Sequence, residues 1–236
     1  MSSAAALPAW LDPLVRVADT VRANDLTSVL PPFQGGRCAA VLLLFWAEAD
    51  RTHVLLIERS HGLRRHAGQP AFPGGALDPE DDGPAGAALR EAAEETGLDP
   101  SGVEVFAVLP DLWIPNSGYV VTPVLGWWRE PSPVAVVDPV EVAAVHRVPL
   151  AELTDPGNRL TVRHPPTGRV MPGFRVRGML VWGFTAGLLD RLLSLAGWEQ
   201  PWPRERVEDL PADVLALAVD SSLRPHSGVD PWSDDL

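Results

Sequence analysis

Three carboxylates crowd one short stretch of the chain, Arg90-Glu91-Ala92-Ala93-Glu94-Glu95-Thr96-Gly97-Leu98. On a helix measured from Leu89, Glu91, Glu94 and Glu95 fall at about 200°, 140° and 240°, while Ala93, Thr96 and Ala92 lie at about 40°, 340° and 300°. The spacing gives one face of small apolar residues and an opposing acidic face. Carboxylates at i, i+3 and i, i+4 repel each other by roughly 0.2–0.5 kcal/mol per pair. They also gather at the carboxyl end of the helix, where the macrodipole disfavours negative charge. Arg90 is the only basic residue between 66 and 129. Two readings remain open: a solvated acidic face, or a site where a hard divalent cation, Mg²⁺ or Mn²⁺, supplies the missing charge. The stretch contains no His, so an oxygen-preferring ion suits it better than zinc.

A second chemical group lies upstream. Arg59, Arg64, Arg65 and His66 form the densest positive group of the sequence. The chain has no Lys, and nineteen basic against thirty-one acidic residues give a net charge of −12. Lysine Schiff-base chemistry and a Walker-type phosphate loop are thereby excluded. Side-chain contacts to phosphate must rest on Arg, His, hydroxyls or a bound metal. The overall charge argues against general nucleic-acid binding, which needs a basic surface to displace counterions. It leaves open a phosphate-bearing small molecule, whose site is local. Arg59, Arg64 and Arg65 are candidate contacts for substrate phosphates; the alternative is that Arg59 pairs with a downstream acid and the others are solvated. A single Cys, Cys38, excludes an internal disulfide and a cysteine-rich zinc site. Within the apolar run to Trp46 it reads as a buried strand thiol.

The elements that must position these groups follow from periodicity. Leu11, Leu14, Val15, Ala18 and Val21 recur at helical spacing within 7–29, and Asp12-Pro13 is a start signal. Residues 38–46 and 53–58 read as strands joined by a hairpin turn at Glu48–Arg51. The Gly-, Pro- and Asp-rich stretch 60–83 reads as a long functional loop. A helix over 85–96 ends at Gly97, a suitable C-cap. Val103–Leu109, Tyr119–Trp128 and His146–Pro149 read as strands, 159–180 as a hairpin around Pro165–Gly168, and 182–196 as a second helix. Trp46 and Trp182 are assigned to the core, whereas Trp113 fits either a packed loop anchor or a stacking surface for a ligand base. At 236 residues and 46% apolar, one domain with flanking segments is expected. The parts are 1–34 (helix and linker), 35–197 (central domain) and 198–236 (a Pro-rich acidic tail, loosely packed or mediating contacts). The first residues lack the basic segment of a secretory signal. The longest apolar run falls short of the roughly 20 residues of a membrane span. A cytoplasmic location is the expectation.

The acidic helix and its preceding loop resemble the Nudix box. Gly75, Arg90, Glu91, Glu94, Glu95, Gly97 and Leu98 match it. Asp81 stands where the box has its first Glu, and eight residues rather than seven separate it from Arg90. The extra residue falls in the Asp82–Pro84 loop, where insertion costs little. A second segment precedes the box: Leu55-Leu56-Ile57-Glu58-Arg59-Ser60, then Arg64, Gly68 and Phe72-Pro73-Gly74-Gly75. It is similar to the pattern that marks coenzyme A pyrophosphatases of the Nudix superfamily, with Ile57 where that pattern usually has Thr. Weaker resemblance continues through Val121–Val124, Glu141-Val142, Val148–Leu150 and Val181–Thr185.

The resemblance implies an α/β fold, a mixed β-sheet sandwiched between α-helices, with the box as loop–helix–loop and 35–197 as the Nudix hydrolase domain. It implies metal-dependent hydrolysis of a diphosphate linkage, that of coenzyme A giving 4′-phosphopantetheine and adenosine 3′,5′-bisphosphate. The alternatives are another nucleoside diphosphate derivative such as ADP-ribose, or a non-catalytic nucleotide sensor. Carried over by position, Glu91 and Glu95 are metal ligands for Mg²⁺ or Mn²⁺, and Glu94 is a ligand or the water-activating base. Arg90 holds a box carboxylate, and Gly74 and Gly75 border the substrate. Glu141 is another candidate base, or a surface acid. The implied partner is a small molecule, not nucleic acid or membrane. Dimerisation is common in the family, and the N-terminal helix and the tail could contribute to it.

Overall fold

The computed structural model describes residues 6–27, 35–49, 51–63, 66–115 and 117–218. In chain order its elements are α1 (Asp12–Thr20), α2 (Ala23–Leu26), β1 (Arg37–Glu48), β2 (Arg51–Arg59), β3 (Pro70–Ala71), β4 (Gly74–Ala76), α3 (Gly83–Thr96), β5 (Val103–Val108), β6 (Leu112–Ile114), β7 (Tyr119–Trp128) and β8 (Val142–Pro149). There follow α4 (Leu150–Thr154), β9 (Arg159–His164), β10 (Arg169–Val176), β11 (Met179–Val181), α5 (Gly183–Leu195), β12 (Val207–Asp209) and α6 (Ala212–Ala218).

β1 organises the main sheet. Its central residues are apolar on both faces because both faces are covered. Leu43 and Phe45 pack with Leu11 from the turn before α1 and with Leu14, Leu26, Leu188 and Leu192 from α1, α2 and α5. Ala40, Leu42, Leu44 and Trp46 pack with Ala87, Ala88 and Ala92 of α3. The strand order is β3-β2-β1-β7-β5, with β4 on β1, β6 on β7 and β8 on β2. β1 and β7 run parallel, while β1–β2 and β5–β7 run antiparallel. The result is the mixed sheet between helices that the resemblance implied. Among the described residues no helix is long and apolar enough to cross a membrane.

The long loop expected over 60–83 contains β3 and β4. These pieces of two and three residues, made of Gly, Pro and Ala, carry no periodic signal, and they borrow their order from β2 and β1. Cys38 lies on β1 but is exposed, contrary to the buried thiol expected. It sits one pleat beyond Ala40, past the cover given by α3. Trp46 is buried as expected. Trp182 precedes α5 rather than lying on it, and is only partly buried, against Leu160, Val162 and Leu210. Trp113 lies on β6 and packs against Gly36.

The second sheet, β11-β10-β9-β12, recruits part of the expected loose tail. β12 pairs parallel to β9, and Trp202 is buried. The anchor is Arg159, fully buried, whose guanidinium lies 4.5 Å from the Phe174 ring and 4.6 Å from that of Trp202. It pairs with Asp190 of α5 and with Glu199, the latter at 3.6 Å. A charge buried this deeply requires such partners, and two of its contacts, Glu199 and Trp202, come from the tail. The chain after 218 lies outside the described residues.

Candidate active site

α3 follows a turn at Asp82-Gly83, carries Pro84 in its first turn and stops at Gly97, whose φ of 70° is the left-handed conformation of a C-cap. β4 pairs with β1 so that Gly74 and Gly75 lie opposite Val41 and Ala40. Gly74 has φ 154°, and a Cβ there would stand 2.3 Å from the Ala40 carbonyl oxygen. At Gly75 a Cβ would stand 2.4 Å from the carboxyl carbon of Glu91. Gly74 therefore lets β4 lie tightly on β1, and Gly75 lets the Glu91 carboxylate press against the strand.

The three box glutamates differ in exposure. The Glu95 side chain is 3% exposed, Glu91 17% and Glu94 60%. The buried side of α3 is centred between Ala92 and Glu95 rather than on Leu89, so Glu95 belongs to the interior and not to an open acidic face. Gly74 N–H donates to Glu95 Oε2 at 3.0 Å. Burial nevertheless pushes the Glu95 carboxyl up to about 7, against the lowering effect of that N–H and of Arg59; Glu91 and Glu141 raise it further. Glu91 is likewise raised, mainly by burial.

Arg90 is tied to the acids around it. Its Nε donates to Asp81 Oδ1 at 2.9 Å and its Nη2 to Asp81 Oδ2 at 3.0 Å. Nη1 reaches Glu91 Oε1 and Glu94 Oε2, both at 3.1 Å, and Nη2 the Ala76 carbonyl at 3.0 Å. Asp78 lies 3.7 Å away. These contacts hold the Asp81 carboxyl below its ordinary range, chiefly through the Arg90 hydrogen bonds. The sequence left the role of Asp81 open; the extra residue in the box loop leaves it within reach of the arginine.

Arg59 Nη1 stands 3.9 Å from Glu95 Oε1. Arg64 and Arg65 lie outside the described residues. Glu141 is exposed, but its charge acts on both Glu91 and Glu95. Its segment is tied at both ends. Ala135 and Val137 N–H donate to the Thr96 and Glu95 carbonyls at 3.0 and 3.3 Å, and Ser60 N–H donates to the Glu141 carbonyl at 2.8 Å. No spacing rule would have found this link between the end of α3 and the end of β2.

As the side chains stand, no three His, Cys, Asp or Glu residues among those described converge to hold an ion. The donor chemistry still fits a hard cation. Glu91, Glu95 and Glu141 are all oxygen donors, the first two are desolvated, and the charges of Glu91 and Glu141 raise Glu95 further. A divalent ion between Glu91, Glu95 and the Gly75 backbone would relieve that repulsion.

The NUDIX domain family model matches residues 36–171, more than half of the chain. An uncharacterized Nudix hydrolase, NudL, of Escherichia coli O7:K1 is 41% identical over 168 residues, covering 68% of this chain and 83% of the relative. NudL of Shigella boydii serotype 4 matches to the same extent. Among solved structures, the M. smegmatis Nudix hydrolase RenU aligns with 22% identity and a TM-score of 0.45, over 70% of this chain and 89% of that one. The NUDIX domain of Shewanella oneidensis NrtR, solved with ADP ribose, aligns with 21% identity and a TM-score of 0.41, over 51% of this chain and 77% of that one. The box glutamates gathered on Gly74 and Gly75, the family match over 36–171 and the 41% identity to NudL lead to one conclusion: this chain belongs to the Nudix hydrolase family.

Proposed function

We propose that the protein hydrolyses the diphosphate linkage of coenzyme A or its derivatives, releasing 4′-phosphopantetheine and adenosine 3′,5′-bisphosphate. The observation that carries this reading is the segment Leu55–Gly75, which ends in the two glycines of the site and places Arg59 beside Glu95. The NudL relatives named above are uncharacterized Nudix hydrolases, so the substrate rests on that segment.

Glu91 and Glu95, with the Gly75 carbonyl, hold Mg²⁺ or Mn²⁺. When bound, the ion neutralises diphosphate charge and lowers the pKa of a bound water. Gly74 N–H orients Glu95, and Arg90, locked to Asp81, steadies Glu91 and Glu94. Glu94 is engaged by Arg90, whereas Glu141, on a loop outside the box, is near enough for its charge to act on Glu91 and Glu95. Glu141 is therefore the better placed group to accept a proton from water, with Glu94 as a further ligand. Arg59, with Arg64 and Arg65 after it in the sequence, contacts substrate phosphates.

The test is product identification. Coenzyme A with Mg²⁺ should yield the two named products in equal amounts, and EDTA should stop the reaction. Ile57 at the usual Thr position favours one rival, a Nudix enzyme for a different nucleoside diphosphate. It gains if ADP-ribose is turned over and coenzyme A is not.

A further inference from the structure

Arg59 is an awkward neighbour for a metal site. Its guanidinium approaches Glu95, the most buried of the acids read above as metal ligands, at 3.9 Å. Its main chain cannot retreat. Arg59 N–H donates to the Gln69 carbonyl, Gly68 N–H donates to the Arg59 carbonyl, both at 3.0 Å, and Ser60 is bonded to Glu141. The side chain is looser. It is 29% exposed, and its buried Nε has no hydrogen-bond partner among the described residues. An arginine cannot shed its charge to escape a cation. When a divalent ion approaches Glu95, this group must turn away or be neutralised by an anion.

We propose that Arg59 competes with the metal for the Glu95 carboxylate and turns to the substrate's phosphate when the ion binds. The inference rests on the reading of Glu91 and Glu95 as the metal ligands. It makes Arg59 a competitor of the ion and a partner of the anion. The same guanidinium that now partly neutralises Glu95 becomes free at the moment a polyanion needs a positive contact. Metal and substrate would then bind cooperatively, with Arg59 as the link. A purely orienting role makes the opposite forecast: an Arg59 that steadies Glu95 for the ion would weaken metal binding when removed.

The experiment is a Mn²⁺ titration of the metal-free, substrate-free protein, followed by water-proton relaxation. Arg59→Met should bind Mn²⁺ more tightly, by about tenfold, because a cation near the ligand is gone. Arg59→Lys, which keeps the charge, should bind it as the parent does. With saturating Mn²⁺, Arg59→Met should raise KM for coenzyme A more than it lowers kcat. Arg59→Gln serves as a second neutral variant should the Met variant fail to fold. Unchanged or weaker Mn²⁺ binding in both neutral variants overturns the proposal. Glu95→Gln separates the two levels. If it leaves Mn²⁺ binding intact, the ligand reading itself fails. If it abolishes binding while Arg59→Met weakens it, only the role of Arg59 is wrong.

Discussion

Arg90 grips Asp81 with two parallel hydrogen bonds, at 2.9 and 3.0 Å, across the loop that carries the extra residue of the box. This fork geometry is the strongest form of an arginine–carboxylate contact. It turns a departure from the family spacing into a structural anchor. Asp81→Asn keeps one acceptor and loses the charge, leaving Arg90 free to draw Glu91 and Glu94 out of place. We expect kcat/KM to fall by about 10–100-fold, as for other residues that orient metal ligands. Thermal melting should show the variant folded.

Gly75 makes a sharper steric prediction. An alanine methyl there would meet the Glu91 carboxyl carbon at 2.4 Å, so the carboxylate must move by an ångström or more. Misplacement on that scale costs about 100-fold in rate. Steady-state turnover of Gly75→Ala should fall by that order, while Mn²⁺ binding weakens in parallel because Glu91 is displaced.

The buried Glu95 makes the metal-free protein sensitive to pH. Its carboxyl is raised from 4.5 to about 7 in the fold. Below the unfolded value both states carry the proton. Between 4.5 and 7 the folded state holds a proton that the unfolded state has released, so stability falls as pH rises, by about 3 kcal/mol in all. Above the folded value the loss is complete. Melting in EDTA should therefore show Glu95→Gln gaining on the parent at pH 8 relative to pH 5. Excess Mn²⁺ should restore the parent at pH 8. Equal differences at both pH values would contradict the burial argument.

The sequence carried the core of the fold because β1 and β7 are near-continuous apolar runs, while α3 and α5 show helical spacing and α3 ends at a capping glycine, Gly97. It carried the box because the spacing of Arg90, Glu91, Glu94 and Glu95 survives in one helix. Glu95 was misread as part of an acidic face. A helical wheel shows which residues share a side, not which side meets the sheet, and small neighbours at Ala88 and Ala92 turn α3 inward around Glu95. The strands β3 and β4 were illegible since their order comes from pairing with distant β2 and β1. The tail was illegible for a related reason. Arg159 gives no sign in sequence that Phe174, Asp190, Glu199 and Trp202 close around it.

That cage predicts the effect of Trp202→Ala. The variant opens one face of a fully buried cation and leaves a cavity beside it. Loss of a buried Trp costs about 3 kcal/mol or more. Chemical denaturation should show a drop of that size, with limited proteolysis cutting first within 199–210. Turnover per folded molecule should remain that of the parent, because the cage touches none of the site residues.

The central claim concerns the substrate, and one comparison bears on it most directly: kcat/KM, with Mg²⁺, for coenzyme A, 3′-dephospho-coenzyme A, ADP-ribose and a dinucleoside polyphosphate. We expect coenzyme A to lead, with the dephospho form weakened by the loss of its 3′-phosphate contact and ADP-ribose lower still. ADP-ribose turned over well above coenzyme A would contradict the assignment.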